Sequence, residues 1–297
     1  MDLIYSLSNN THAKVMFNEP MKKHTSYGVG GNASCFVQTD SLYTLSEVVA
    51  FAKENKISYK VLGNGTNVLF SDKGYNGIII SLLRLNDVFF VRDQIHVMAG
   101  ATLSKLIKFA KDHKLSGLEA LSGIPATIGG AIVMNAGAFG HNISDFLTTV
   151  ETLHNGKLKK YYKEECGFCY RGSRFLGKKE IIVSANFKLK EGDRQSILSS
   201  INSFLELRNT IHPSGKSCGS VFKNPRPETA GRLIDKAGLK GYSVGGASVS
   251  TRHGNFILTT SKATATDVYK LIEHVKKKVK DEFGIELKEE VEFVGEF

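Results

Sequence analysis

The chain has 297 residues, 39 basic against 29 acidic side chains, and a net charge of +10. Hydrophobic residues make up 41% and charged residues 23%, which is typical of a globular protein and excludes a chain that is disordered throughout. The length predicts about two domains, with enough buried core to fold without disulfides or metal ions.

The first half of the chain predicts short strands that alternate with helices. Helical spacing of apolar residues predicts helices around Leu45–Ala52 and Leu103–Ala110. Short apolar runs predict strands at Ile57–Leu62, Gly77–Ser81 and Ile95–Met98.

The second half predicts longer helices. The predicted elements are a half-buried strand at 181–189, helices around Ile197–Leu205 and Ala230–Ala237, and a strand at Val291–Val294. A final helix is expected to begin at a capping box made by Thr264 and Asp267 and to end at Gly284. No long alternation of strand and helix is present, so the pattern favours an α+β fold over a doubly wound sheet.

Targeting and membrane-spanning patterns are not found in the sequence. The first residues lack a basic region followed by an apolar run, and the longest uncharged stretch, 120–144, contains glycine and proline. We therefore expect a cytoplasmic protein with reduced thiols at Cys35, Cys166, Cys169 and Cys218. The C-x-x-C spacing of the middle two would suit redox chemistry or a metal, but no second pair completes a zinc site, so we expect no metal.

Two glycine-rich loops are candidates for phosphate binding. GNGTN at Gly63–Asn67 follows a predicted strand, and SGIPATIGGAIVMNAGAFG spans Ser122–Gly140. Glycine lets main-chain amides face a phosphate, so two such loops in a basic chain could hold a diphosphate between them. Glycine also marks ordinary tight turns, and the residues alone leave both interpretations open. The chain has neither a G-x-G-x-x-G fingerprint nor a complete P-loop.

Three polar clusters are candidates for catalysis. YRGSRF at Tyr170–Phe175 places Arg171 beside aromatic residues, GSVFKNP at Gly219–Pro225 contains Ser220, and KEEVEF near the end of the sequence contains Glu290. Each cluster alone is more typical of a solvated surface.

Together, in order and spacing, these motifs resemble the UDP-N-acetylenolpyruvoylglucosamine reductase family. The resemblance covers Thr25 to Gly295 and also includes YGVGGNA, ECGFCYRGS, GRLIDKAGLKG, GGASVS and EEVEFVG. The segment between YRGSRF and Ile181 is short, which is similar to the shorter, type II form of the family.

The resemblance implies an α+β protein with a two-subdomain FAD-binding region of the vanillyl-alcohol-oxidase type. It implies FAD-binding subdomains at 1–84 and 85–196 and a C-terminal α+β substrate-binding domain at 197–297, with the last strand, about 288–297, as a candidate to return to the FAD-binding region. Bound FAD and the co-substrate NADPH are the implied cofactors. The implied FAD-binding residues are Gly63, Asn64, Gly65, Thr66, Asn67, Ser122, Gly123, Pro125, Gly129, Gly130, Asn135 and Gly137.

The resemblance also implies a reaction, in which NADPH reduces the enolpyruvyl group of UDP-N-acetylglucosamine enolpyruvate to give UDP-N-acetylmuramate for peptidoglycan. Arg171 and Glu290 match the residues that stabilise the intermediate, and Ser220 matches the proton donor. The implied substrate-binding residues are Tyr170, Gly219, Lys223 and Asn224. One departure is visible at 209–212, which reads NTIH where many relatives carry a lysine or glutamine that helps to hold the substrate diphosphate.

Two other classes of function remain as alternatives. Another FAD-dependent oxidoreductase on the same fold would share the glycine loops but would not need GSVFKNP or the terminal EEVEF. A nucleic-acid-binding protein would fit the positive charge, but the sequence contains no recognised nucleic-acid motif, so we expect neither a nucleic-acid nor a membrane partner. The basic excess is concentrated at 151–190, with ten basic against four acidic residues, and at 205–262, with nine against three. The sequence leaves the oligomeric state open.

Overall fold

The computed structural model describes residues 6–297. The first residues of the chain, on which the expectation about a signal peptide partly rests, lie outside the described residues. The chain divides into two compact units. Unit 1 contains the residues up to Phe17, Cys35–Asn64 and Gly77–Arg208. Unit 2 contains Asn18–Ser34, Gly65–Asn76 and Asn209–Phe297. The boundaries expected at 84/85 and 196/197 stay predictions.

Helices occur in both units, and the last one begins and ends at the capping residues expected from the sequence. The α-helices are α1 (Leu7–Asn10), α2 (Leu42–Glu54), α3 (Leu103–Asp112), α4 (Ile128–Val133), α5 (Arg194–Ile211), α6 (Ala230–Lys236) and α7 (Ala265–Phe283). The hydroxyl of Thr264 accepts the Asp267 amide and the Asp267 carboxylate accepts the Thr264 amide, which confirms the capping box of α7. Gly284 ends this helix in the left-handed conformation, as expected.

Strands are numerous and short. They are β1 (Lys14–Pro20), β2 (Asn32–Gln38), β3 (Tyr59–Leu62), β4 (Val68–Phe70), β5 (Tyr75–Ser81), β6 (Val88–Val91), β7 (Gln94–Met98), β8 (Leu115–Ser116), β9 (Gly137–Ala138), β10 (His141–Asn142), β11 (Leu147–His154), β12 (Lys157–Tyr162), β13 (Ile181–Phe187), β14 (Lys190–Glu191), β15 (Ser243–Val244), β16 (Ala247–Val249), β17 (Ile257–Thr259) and β18 (Glu292–Val294). No helix within residues 6–297 is long and apolar enough to cross a lipid bilayer.

Unit 1 is built on an antiparallel sheet with the strand order β12-β11-β13-β7-β6. A second sheet pairs β3 and β5 in parallel, and residues from both sheets share one apolar core with α2 and α3. The strand expected at 181–189 is present as β13, but the expectation that it is half-buried was wrong. β13 ends at Phe187 and is buried on nearly every residue, because it lies inside the sheet between β11 and β7. The alternation of apolar residues along this strand therefore does not correspond to one buried and one solvent-exposed face.

Unit 2 has its own apolar core, which α6 and α7 share with the sheet β15-β16-β17. The last strand, β18, pairs in parallel with β4, so that Glu292 lies opposite Val68. Segments more than two hundred residues apart in sequence thus form one pair of strands. Strands and helices mix in both units, and the predicted α+β class is confirmed.

Candidate active site

The start of the first glycine loop, Gly63 and Asn64, meets the second loop within unit 1. The side-chain amide of Asn64 donates to the carbonyl of Pro125 over 2.9 Å. A Cβ on Gly63 would clash with the hydroxyl of Thr127, so this glycine is required by the close approach of the second loop. The sequence identified the two loops as separate candidates, and the structure shows that Gly63 and Asn64 contact the second loop.

The loops differ in how many amides they leave for a ligand. None of the backbone amides of residues 64–67 donates to an acceptor within residues 6–297. In the second loop, the Gly129 amide donates to the carbonyl of Ala99 over 2.9 Å and the Gly130 amide to the Thr127 hydroxyl over 3.3 Å. The first loop is thus the better source of amide donors for an anion.

Several buried polar atoms in unit 1 have no partner in the part of the chain that the structure describes, and two of them lie in the second glycine loop. They are the hydroxyl oxygen of Ser122, on a side chain 3% exposed, and the side-chain oxygen of Asn135, on a residue 6% exposed. A buried polar atom without a hydrogen bond costs free energy, so such atoms in one region indicate a polar ligand. Both residues are among those predicted to bind FAD.

Arg171 lies at the tip of a two-residue turn. The amide and carbonyl of Cys169 bond to the carbonyl and amide of Gly172, at 3.0 and 3.3 Å. Arg171 itself has a φ of 54°, a left-handed conformation that costs about 1 kcal/mol or more in a residue other than glycine. The turn is held by Asn135, whose side-chain amide donates to the Cys169 carbonyl over 3.1 Å. The guanidinium lies 5.3 Å from the ring centroid of Tyr170.

Arg208 is a residue that the sequence analysis did not select. Its Nε donates to the Ser122 carbonyl over 3.0 Å, and its stem passes so close to Gly123 that a Cβ there would collide with it. Its guanidinium lies 5.6 Å from the ring of Phe139, and burial lowers the pKa of the arginine. A half-buried cation beside the Ser122 loop suits an anionic ligand. An arginine on a helix carries no local signal for this, since its loop partner is 86 residues away.

In unit 2 the predicted proton donor and Glu290 lie on neighbouring backbone segments. The Glu290 amide donates to the carbonyl of Val221, next to Ser220, over 2.8 Å. Asn67 holds the same segment, because its side-chain amide donates to the Glu290 carbonyl over 3.0 Å. The hydroxyl of Ser220 is half-buried and has no hydrogen-bond partner among residues 6–297. It is therefore available to a ligand.

The remaining predicted substrate residues surround Ser220 in sequence and differ in their contacts. Gly219 has a φ of 73° and open space where a Cβ would stand. Lys223 is half-buried, and its ammonium has no hydrogen bond or ion pair within the described part of the chain. The side-chain oxygen of Asn224 accepts the amide of Ala230 over 3.0 Å, just before α6, so part of its bonding capacity is structural. Tyr170 is 42% exposed in unit 1.

Comparisons with known proteins match both units. A family model described as FAD binding domain matches residues 33–160, which include both glycine loops. A second, described as UDP-N-acetylenolpyruvoylglucosamine reductase, C-terminal domain, matches residues 211–294, which include Ser220 and Glu290. Arg171 lies between the two matched segments.

Relatives match over nearly the whole chain. The UDP-N-acetylenolpyruvoylglucosamine reductase of Caldanaerobacter subterraneus subsp. tengcongensis is 42% identical over 95% of this chain and 94% of its own. The crystal structure of the UDP-N-acetylenolpyruvylglucosamine reductase from Thermus caldophilus matches with a TM-score of 0.82 and 36% identity, over 96% of this chain and 99% of that one. Phl p 4.0202, a glucose dehydrogenase, matches 65% of this chain and 45% of its own with a TM-score of 0.52 and 14% identity, which shows a shared fold alone.

Proposed function

Since the chain belongs to the UDP-N-acetylenolpyruvoylglucosamine reductase family, we propose that it reduces UDP-N-acetylglucosamine enolpyruvate to UDP-N-acetylmuramate with NADPH. The product is a precursor of peptidoglycan. The chain is an FAD-containing oxidoreductase, and the proposed partners are these small-molecule substrates. The proposed location is the cytoplasm.

The residues present fit FAD. Within unit 1, the amide of Asn64 donates to no acceptor within residues 6–297 and suits the diphosphate, and the buried oxygens of Ser122 and Asn135 lack the partners that a polar ligand would provide. Gly63, Pro125 and Thr127 keep the two loops together at this place. When bound, FAD supplies the hydride relay between NADPH and the alkene of the enolpyruvyl group.

Arg171 is proposed to bind the carboxylate of the enolpyruvyl group. Negative charge spreads into this carboxylate when hydride reaches the terminal alkene carbon, and a guanidinium stabilises it because it stays charged and can form two parallel hydrogen bonds. The left-handed backbone of Arg171 supports this role, since strained residues persist where they have a function. Glu290 is proposed to stabilise the same intermediate.

Ser220 is proposed to give the proton that completes the reduction. Hydride and one proton together add two hydrogen atoms across the double bond, and the serine regains its proton from solvent. A hydroxyl is a weak acid, but a carbanion is a strong enough base to accept its proton. The hydroxyl has no protein partner among residues 6–297 that would compete for it. This available hydroxyl, next to the segment that carries Glu290, is the structural observation that best supports the proposal.

The half-reactions separate the two roles. We expect purified protein to show a flavin spectrum and to oxidise NADPH only when the enolpyruvyl nucleotide is present. In Ser220→Ala, NADPH should still bleach the flavin, whereas reduction of the nucleotide should fall about 100- to 10,000-fold. Ser214→Ala is the matched control, because Ser214 is an exposed serine in the same loop. Nucleotide reduction by Ser220→Ala at the wild-type rate would refute the assignment.

A further inference from the structure

A polar pocket of about 360 Å³ lies in unit 2 beside the predicted proton donor. Ser220 and Asn224 are part of its lining, together with the cations Arg232, Lys240 and Arg252. Asp235 is the carboxylate of the lining. The volume is in the range of small-molecule sites, and the charge favours an anion.

The three cations differ in what they already bind. The ammonium of Lys240 lies 2.7 Å from the Asp235 carboxylate, and the guanidinium of Arg232 lies 3.6 Å from the Glu228 carboxylate. Arg252 has no carboxylate within ion-pair distance among residues 6–297. Of the three cations in the lining, Arg252 is therefore the one whose charge is available to a ligand.

Arg252 is also held in place. Its Nε donates to the carbonyl of Thr210 over 3.1 Å, which leaves the two terminal nitrogens of the guanidinium to form hydrogen bonds elsewhere. Thr210 belongs to the segment 209–212, where this chain has NTIH in place of the lysine or glutamine expected from the resemblance. Arg252 is thus hydrogen-bonded to the segment 209–212, which has no lysine or arginine of its own.

We infer that Arg252 binds the diphosphate of the nucleotide-sugar substrate and so replaces the contact missing from 209–212. The inference rests on the proposed function, because it places that substrate in the pocket beside Ser220. A guanidinium suits this task, since its planar donors match phosphate oxygens in pairs. Arg232 and Lys240 then add to the positive electrostatic potential of the pocket rather than bonding directly to the ligand, because each already pairs with a carboxylate.

The test measures binding of two probes to the FAD-loaded enzyme by calorimetry. UDP carries the diphosphate, and uridine lacks it. We expect Arg252→Gln to weaken UDP binding about 10-fold and to leave uridine binding within about twofold. Arg252→Lys should fall between, because an ammonium keeps the charge but loses the paired donors. The KM for the enolpyruvyl nucleotide should rise by the same factor as the UDP dissociation constant, with kcat nearly unchanged.

Lys262→Gln is the matched control, since it removes one exposed positive charge from unit 2 outside the pocket. UDP binding by Arg252→Gln that equals the control would overturn the inference. So would an equal loss of UDP and uridine, because Arg252 would then act by supporting the Thr210 segment. A wild-type enzyme that binds no UDP would remove the proposed function too, whereas wild-type binding with an unaffected Arg252→Gln would remove this inference alone.

Discussion

The turn that carries Arg171 depends on a single side chain from another segment. Replacing Asn135 by alanine removes the hydrogen bond to the Cys169 carbonyl and places alanine at a φ of 44°. Asparagine tolerates this left-handed conformation better than alanine does, because its short polar side chain can bond locally. The substitution therefore acts on stability and on the position of Arg171 together.

The expected loss of stability has two contributions. The hydrogen bond between the Asn135 amide and the Cys169 carbonyl contributes about 1 kcal/mol, and alanine in the left-handed region costs about 1 kcal/mol more. We therefore expect the free energy of unfolding to fall by about 2 kcal/mol. Arg171 shares the loosened turn, and a displacement of the order of 1 Å in a positioning residue can lower turnover about 100-fold.

Asn155→Ala separates these effects. Asn155 has a φ of 51° at the exposed turn between β11 and β12, and the hydrogen bond that its side chain accepts from Lys53 is exposed and contributes little. Its replacement therefore carries mainly the backbone cost, without touching the site. Urea unfolding should show that the free energy of unfolding falls by about 1 kcal/mol in Asn155→Ala and by about twice that in Asn135→Ala. Steady-state assays should show reduced kcat/KM in Asn135→Ala alone. Equal stability losses, or unchanged kcat/KM in Asn135→Ala, would refute the reasoning.

Two further predictions concern the cofactor and the thiols. Arg208→Gln should raise the dissociation constant of FAD about 10-fold or more, measured by the fluorescence of released flavin. Arg194→Gln, at the exposed start of the same helix, should leave this constant unchanged. Equal retention of FAD in both variants would show that Arg208 does not contact the cofactor. Burial raises the pKa of Cys35 to about 12 and those of Cys166 and Cys218 to about 11, whereas Cys169 is exposed, so iodoacetamide near neutral pH should label the folded chain at Cys169. Rapid labelling of a second thiol, located by peptide mapping, would contradict this.

Local patterns predicted those parts of the fold that local chemistry decides. The caps of α7, Thr264 with Asp267 at its start and Gly284 at its end, follow from the residues at those positions. The strands β1, β2, β6, β11 and β12 were not predicted from periodicity. β12, for example, reads KLKKYY and lies at an edge of its sheet, so its order depends on pairing with β11 rather than on an apolar face.

The candidate site shows the same division. Motifs in sequence order were enough to select Arg171, Ser220 and Glu290, because each lies in a recognisable local cluster. Contacts between distant segments were not visible, so Arg208 beside Ser122 and Arg252 beside Thr210 required the structure. The glycines illustrate a related limit. Gly63 and Gly123 make room for Thr127 and Arg208. The glycine-rich motifs therefore indicated a close approach of the backbone but not which side chain approaches.

The pairing of β18 with β4 has a consequence for how the protein forms during synthesis. Glu290 is fixed by Asn67 and by Val221, and β18 follows it directly. On the ribosome, Val68–Phe70 must wait for more than two hundred further residues before their partner strand appears. The nascent chain therefore passes most of its synthesis without this pair of strands, which forms only after β18 has been made. A fragment that begins after Asn76 would lack β4, so unit 2 cannot be excised as a contiguous piece of the gene.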